Sequence, residues 1–191
     1  MTRITLIGYR GCGKSTVADL LSRRLGLPWR DADAVLEEGV GCSIAALVRD
    51  RGEAAFRDEE SRVLASLLAA EPCILATGGG VVLRAENRDL LRLRARPVIW
   101  LTAPADVVRA RLAADPTTAD RRPPLSGVDP LAEVAAALAE REPLYRECAD
   151  LAVETGSESL ERIIDRITAW LATRSRETPP AAAASDPRGH A

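Results

Sequence analysis

Two periodicities alternate along the chain. Ile4-Thr5-Leu6-Ile7, Cys73 to Thr77 and Val98-Ile99-Trp100-Leu101 are short, almost continuous apolar runs. Such runs read as strands buried on both faces. Between them, apolar residues recur at helical spacing. Val17, Leu20, Leu21 and Leu25 predict a helix that Gly26 and Pro28 stop. A short strand ends near Asp31, and helical segments follow at Asp33 to Glu38, Ser43 to Arg49 and Glu53 to Ala70. Further helices are expected near Asn87 to Leu93, from Pro104 to about Ala114, and from Leu131 towards Cys148. Leu151 to Val153 is a last short strand. Leu160, Ile163, Ile164, Ile167 and Leu171 mark a final helix that ends near Thr173. Strand and helix in alternation predict an α/β fold: a central, about five-stranded parallel sheet with helices on both faces, in three layers.

The stretch Asp115 to Asp129 is different, with prolines, a glycine, an arginine doublet and no period. It predicts a mobile loop, a lid at about 112–129. Beyond Thr173 the chain turns polar, Pro-rich and Ala-rich, so one domain over residues 1–173 and a disordered tail over 174–191 are expected.

Composition narrows the function. Of 191 residues, 47% are hydrophobic and 28% charged, enough for a real core. With 3% aromatics and a net charge of −2, neither a base-stacking platform nor a basic footprint for nucleic acid or an anionic membrane is expected. No apolar run approaches the ~18 residues of a membrane span. Cys12, Cys42, Cys73 and Cys148 lack metal-binding or redox spacing, and Met1 to Tyr9 is too short for a secretion signal, which points to a reducing, cytoplasmic setting. The single histidine, His190, lies in the expected tail, so a Ser-His-Asp triad and a His-ligated zinc site lose their central residue. With no exposed apolar helix face in the pattern, a monomer is the default.

Gly8-Tyr9-Arg10-Gly11-Cys12-Gly13-Lys14-Ser15 matches GxxxxGK[ST] between a strand and a helix start. Its glycines let backbone amides turn around phosphates, and the helix N-terminus adds partial positive charge. Lys14 reaches the terminal phosphates and Ser15 offers a hydroxyl to magnesium. ATP and Mg2+ are therefore the expected ligands, with Gly11, Cys12, Gly13, Lys14, Ser15 and Thr16 as nucleotide-binding residues. Lys14 is the only lysine among 26 basic side chains. A chain that otherwise uses arginine keeps a slim ammonium where a planar guanidinium would crowd the phosphates. The same count excludes an NKxD guanine-binding motif and with it a GTPase.

Asp31 and Asp33, one residue apart at a strand end, can share the cleft at the carboxyl edge of the sheet, one near magnesium and one taking a proton from an attacking hydroxyl. Read alone, the same residues could simply cap the next helix. Arg57 and Glu60 stand at i, i+3, an arrangement most often found as a surface ion pair. Gly78-Gly79-Gly80 after a buried strand presents bare backbone that a substrate can approach closely.

In this order and spacing, these residues together with Arg122-Pro123 and Arg141 ahead of Pro143-Leu144-Tyr145 make the chain resemble the shikimate kinase family, up to about Thr173. The resemblance implies a P-loop kinase fold with a closing lid and ATP-dependent phosphorylation of the 3-hydroxyl of shikimate. It implies Asp33 as grip on the substrate diol and catalytic base, and Asp31 near magnesium. Arg57 and Arg141, with the backbone of Gly78, Gly79 and Gly80, would bind the substrate, and Glu60 would hold Arg57. Arg122 would fold over the transferring phosphoryl group. The lid reads Arg121-Arg122-Pro123-Pro124-Leu125 where many members have Arg-Pro-Leu-Leu, so Arg121 could take that role. Arg109 and Arg111 precede the lid, and the motifs leave open which residue is the family's adenine-stacking arginine. The rival readings are a kinase for gluconate or a nucleoside monophosphate, and a nucleotide-binding module without catalysis.

Overall fold

A computed structural model describes residues 3–115 and 130–177. The lid from 116 onward, including Arg121 and Arg122, and the tail from 178 lie outside the described residues. Five strands form one parallel sheet, β1 Ile4–Ile7, β2 Trp29–Asp31, β3 Ile74–Ala76, β4 Val98–Thr102 and β5 Leu151–Glu154, in the order β2-β3-β1-β4-β5. β1 is central. Leu6 lies level with Ala76 on one side and Ile99 on the other. All four β1 side chains are buried, as a strand covered by helices on both faces requires.

The helices are α1 Lys14–Leu25, α2 Ala32–Val40, α3 Ile44–Ala69, α4 Ala85–Arg94, α5 Ala105–Ala114, α6 Pro130–Cys148 and α7 Leu160–Glu177, with a 3-10 turn at Val81–Leu83. One core lies under α1, α5 and α7, where Val17, Leu21, Val108, Ile163 and Ile167 meet Ile4, Leu6 and Ile99. The other lies under α3, α4 and the end of α6, where Leu64, Leu91 and Tyr145 meet Ile7, Leu75 and Trp100. Among the described residues no helix is long and apolar enough to cross a membrane.

The predicted break between the segments ending at Arg49 and starting at Glu53 is present inside α3. Gly52 there takes φ 82° and ψ 165°, which interrupts the helix without ending it. The final helix runs past Thr173 to Glu177. No proline or glycine follows until Pro179, and Arg174 secures the extra turn by stacking on Trp170 and pairing with Asp150 at 3.6 Å.

The topology creates the site. The chain leaves β1 towards the β2 side, whereas it leaves β3 towards the β4 side, so the crevice beyond their carboxyl ends opens between adjacent strands. The phosphate-loop motif follows β1 and the triple glycine follows β3.

Candidate active site

The loop after β1 is shaped by its glycines. Gly8, Gly11 and Gly13 have φ of 140°, 79° and 86°, a region closed to most side chains. A methyl on Gly8 would collide with the carbonyl oxygen of Leu101. Gly13 precedes α1 with no side-chain cap, so the first amides of that helix keep their donors for an anion. Lys14 Nζ donates to the carbonyls of Gly8 at 2.8 Å and Tyr9 at 3.0 Å, folding back over the loop it serves. Enclosure pushes its pKa below the usual lysine value, and the nearby carboxylates of Asp33 and Asp31 oppose that shift. Cys12 is buried, and desolvation pushes its thiol up, as expected of a small filler. Thr16 is exposed in the first turn of α1.

Asp31 serves two ends at once. Its Oδ1 caps α2 by accepting from the amides of Asp33 at 3.0 Å and Ala34 at 3.4 Å, while Oδ2 accepts from Ser15 Oγ at 2.8 Å. The capping reading and the functional reading are therefore compatible. The cap fixes the carboxylate against the hydroxyl of the phosphate loop.

The triple glycine gathers the remaining candidates. A methyl on Gly78 would lie 2.7 Å from Asp33 Oδ1 and 2.8 Å from Glu60 Oε1, so these two carboxylates approach the same strip of backbone. A methyl on Gly80 would overlap the Arg57 guanidinium. One on Gly79 would press on the amide of Arg10, which puts the strip against the phosphate loop. Across the strip, Gly79 O accepts from Arg141 Nη1 at 3.4 Å and from Tyr145 Oη at 2.5 Å. The structure thus brings Asp33, Arg57, Glu60, Arg141 and Gly78 to Gly80 together beside Lys14.

Arg57 and Glu60 are not the surface pair that their spacing most often makes. Arg57 Nη1 donates to Glu60 Oε2 at 2.6 Å with both side chains under 10% exposed, and Nη2 donates to Glu53 at 2.7 Å. The guanidinium also lies over the Phe56 ring, 4.7 Å from its centre. Arg141 lies over Tyr9 at 5.3 Å. Two atoms here are buried without a hydrogen-bond partner, the acceptor Glu60 Oε1 and the donor Arg141 Nε. Buried polar atoms rarely stay unpaired, at a cost of ~1–3 kcal/mol each.

Sequence reasoning gave no role to Tyr145 or Thr155. Tyr145 follows Arg141 by one helical turn, so its reach to the same carbonyl was readable from i, i+4 spacing. Its ring stacks on Trp100 at 5.8 Å, and burial pushes its hydroxyl well above the usual tyrosine range. Thr155 follows directly on β5, at the sheet edge where ligands bind in such folds.

Similarity to known proteins agrees with this geometry. The family model for shikimate kinase matches residues 10–172. A shikimate kinase of Nitratidesulfovibrio vulgaris is 48% identical over 170 residues, covering 89% of this chain and 95% of that protein. One of Rhodopirellula baltica is 43% identical over 162 residues, covering 85% and 86%. Among solved structures, the shikimate kinase of Acinetobacter baumannii in complex with shikimate superposes with a TM-score of 0.83 at 32% identity, covering 91% of this chain and 94% of that one. A gluconokinase of Sinorhizobium meliloti reaches a TM-score of only 0.54 at 18% identity, a likeness of fold alone. By the family-model match and by relatives more than 40% identical over most of its length, the chain belongs to the shikimate kinase family.

Proposed function

We propose that this chain transfers the γ-phosphoryl group of ATP to the 3-hydroxyl of shikimate, giving 3-phosphoshikimate and ADP. The observation that carries the reading is the convergence of Asp33, Arg57 and Arg141 on a glycine strip that abuts the phosphate loop. An acidic polyol suits that strip: its carboxylate accepts from the arginines and its hydroxyls donate to Asp33.

In this mechanism Arg57 and Arg141 hold the acceptor carboxylate through planar forks that suit it better than a lysine would. Glu53 and Glu60 keep Arg57 from rotating away. Asp33 accepts a hydrogen bond from the attacking hydroxyl and takes its proton as the new bond to phosphorus forms. Lys14 leaves the carbonyls of Gly8 and Tyr9 for the phosphates, and the uncapped amides at the start of α1 hold them in line. The hard oxygens of Ser15 and Asp31, 2.8 Å apart, fit magnesium, and no group of three metal-binding side chains occurs among the described residues, so most of its shell would come from phosphates and water. Bound there, magnesium supplies neutralisation of the phosphate charge. The family resemblance adds Arg122, or Arg121 beside it, as a lid cation over the transferring group. Four free cysteines suit a reducing cytoplasm.

The test is ADP release with purified protein and ATP, with shikimate, gluconate or a nucleoside monophosphate as acceptor. Stimulation by shikimate alone is expected. No stimulation by shikimate overturns the reading, and preference for either other acceptor replaces it.

A further inference from the structure

The phosphate loop is anchored from behind by two residues that approach it from other elements. Thr155, 3% exposed, lies just past β5. Its Oγ1 lies 3.0 Å from the Cys12 carbonyl and 3.1 Å from the Thr102 carbonyl, its single proton shared between these two acceptors, and it accepts from Arg111 Nη1 at 3.1 Å. Arg111, near the end of α5, also donates to the Gly11 carbonyl at 3.2 Å and through Nη2 to the Thr155 carbonyl at 2.6 Å. The main chain of Thr155 is fixed as well, its amide donating to Thr102 O at 2.8 Å. Against the same turn, a methyl on Gly11 would meet the Leu112 side chain and the Val108 carbonyl at 3.2 and 3.3 Å.

Planarity of the trans peptide turns these contacts into an aiming device. In each peptide unit the C=O and the N–H of the next residue point in opposite directions. Arg111 holds the Gly11 carbonyl outward, and the Cys12 amide of that unit points back across the turn to Tyr9 O at 3.2 Å. Thr155 holds the Cys12 carbonyl outward, so the Gly13 amide of that unit must face the opposite side, into the phosphate cradle. Gly13, at φ 86°, is the hinge where a free loop would rotate most easily.

We propose that Thr155 is a positioning residue of the kinase, whose hydroxyl fixes the Cys12–Gly13 peptide so that the Gly13 N–H is aimed at the nucleotide phosphates. The inference rests on the ATP-dependent reading above. It adds a residue remote from the motif, on the last strand, to the nucleotide site.

The test compares Thr155→Val, which keeps shape and removes the hydroxyl, with Thr155→Ser, which keeps the hydroxyl. KM for ATP, KM for shikimate, kcat and the calorimetric Kd for ADP are measured on each. A hydrogen bond to a charged phosphate is strong enough that misaiming it is expected to raise KM for ATP and Kd for ADP about tenfold in the valine variant. KM for shikimate should stay within about twofold, and serine should restore nucleotide binding to within about threefold of the parent chain. If valine does not fold, Thr155→Ala, which admits a water, takes its place with the same expectation. Unchanged nucleotide binding in a folded hydroxyl-less variant overturns the proposal, as does an equal rise in both KM values. A tenfold loss of ADP affinity in the serine variant also overturns it. ADP binding requires no acceptor, so this result stands apart from the question of whether the parent chain phosphorylates shikimate.

Discussion

Replacing Glu60 by glutamine removes one charge and almost no volume. Its partner, Arg57, is then left inside the protein with Glu53 as its remaining counter-ion, and Glu53 is 54% exposed. Breaking a buried pair from one side costs ~3–5 kcal/mol, because the surviving charge stays desolvated. Glutamine still accepts a hydrogen bond at the 2.6 Å position, and the half-solvated Glu53 returns at most ~1 kcal/mol, so a net loss of about 2–3 kcal/mol is expected. For a chain of this size that lowers the melting temperature by about 4–12 °C. Scanning calorimetry of both chains, with and without saturating shikimate, reads it. The acceptor carboxylate supplies the missing negative charge to Arg57, so shikimate should raise the melting temperature of Glu60→Gln by more than it raises that of the parent. A variant that melts within about 1 °C of the parent would refute the buried-pair argument. An equal shikimate shift in the two chains would remove the carboxylate clamp.

Asp33→Asn should lower kcat by about two orders of magnitude, within the range of general-base contributions, and leave the calorimetric affinity for ADP nearly unchanged. Gly80→Ala, whose φ of −101° any residue tolerates, should act through the Arg57 guanidinium alone, raising KM for shikimate about tenfold; an unchanged KM would contradict the crowding. Lys14 carries a depressed pKa in the empty loop because burial disfavours its charge, and phosphates favour that charge. Below its folded pKa this lysine costs stability, a penalty relieved as pH rises through that value towards 10.5, and ADP binding at a pH between that value and 10.5 should take up a proton, seen as a buffer-dependent binding enthalpy. Of the four thiols, Cys42 alone should react with a thiol reagent in the folded protein, since Cys12, Cys73 and Cys148 are buried and Cys148 is pushed up to about 11; prompt labelling of a second thiol would contradict the packing.

Three of the strands were readable because their apolar runs are almost unbroken, and the gap between the helical segments ending at Arg49 and starting at Glu53 marked the break in α3. The phosphate loop was readable because its chemistry is local: glycines, ammonium and hydroxyl all fall within eight consecutive positions. The acceptor side is another matter. Arg57 and Glu60 carry the spacing of an ordinary surface pair, and only their packing beneath Gly78 to Gly80 makes them buried. Tyr145 stands in a local motif with Arg141, but the carbonyl it reaches lies 66 residues away, and Thr155 belongs to no motif and acts on a carbonyl across a separation of 143 residues. Contacts of that kind depend on strand order, which a one-dimensional pattern does not encode.

The bonds from Lys14 to Gly8 and Tyr9 engage the ammonium with the chain's own oxygens, so that holding a phosphate there is an exchange of partners rather than capture by an idle cation. The strength of nucleotide binding is then a difference between two sets of contacts, and a change that weakens the resting set would tighten ATP binding without touching ATP.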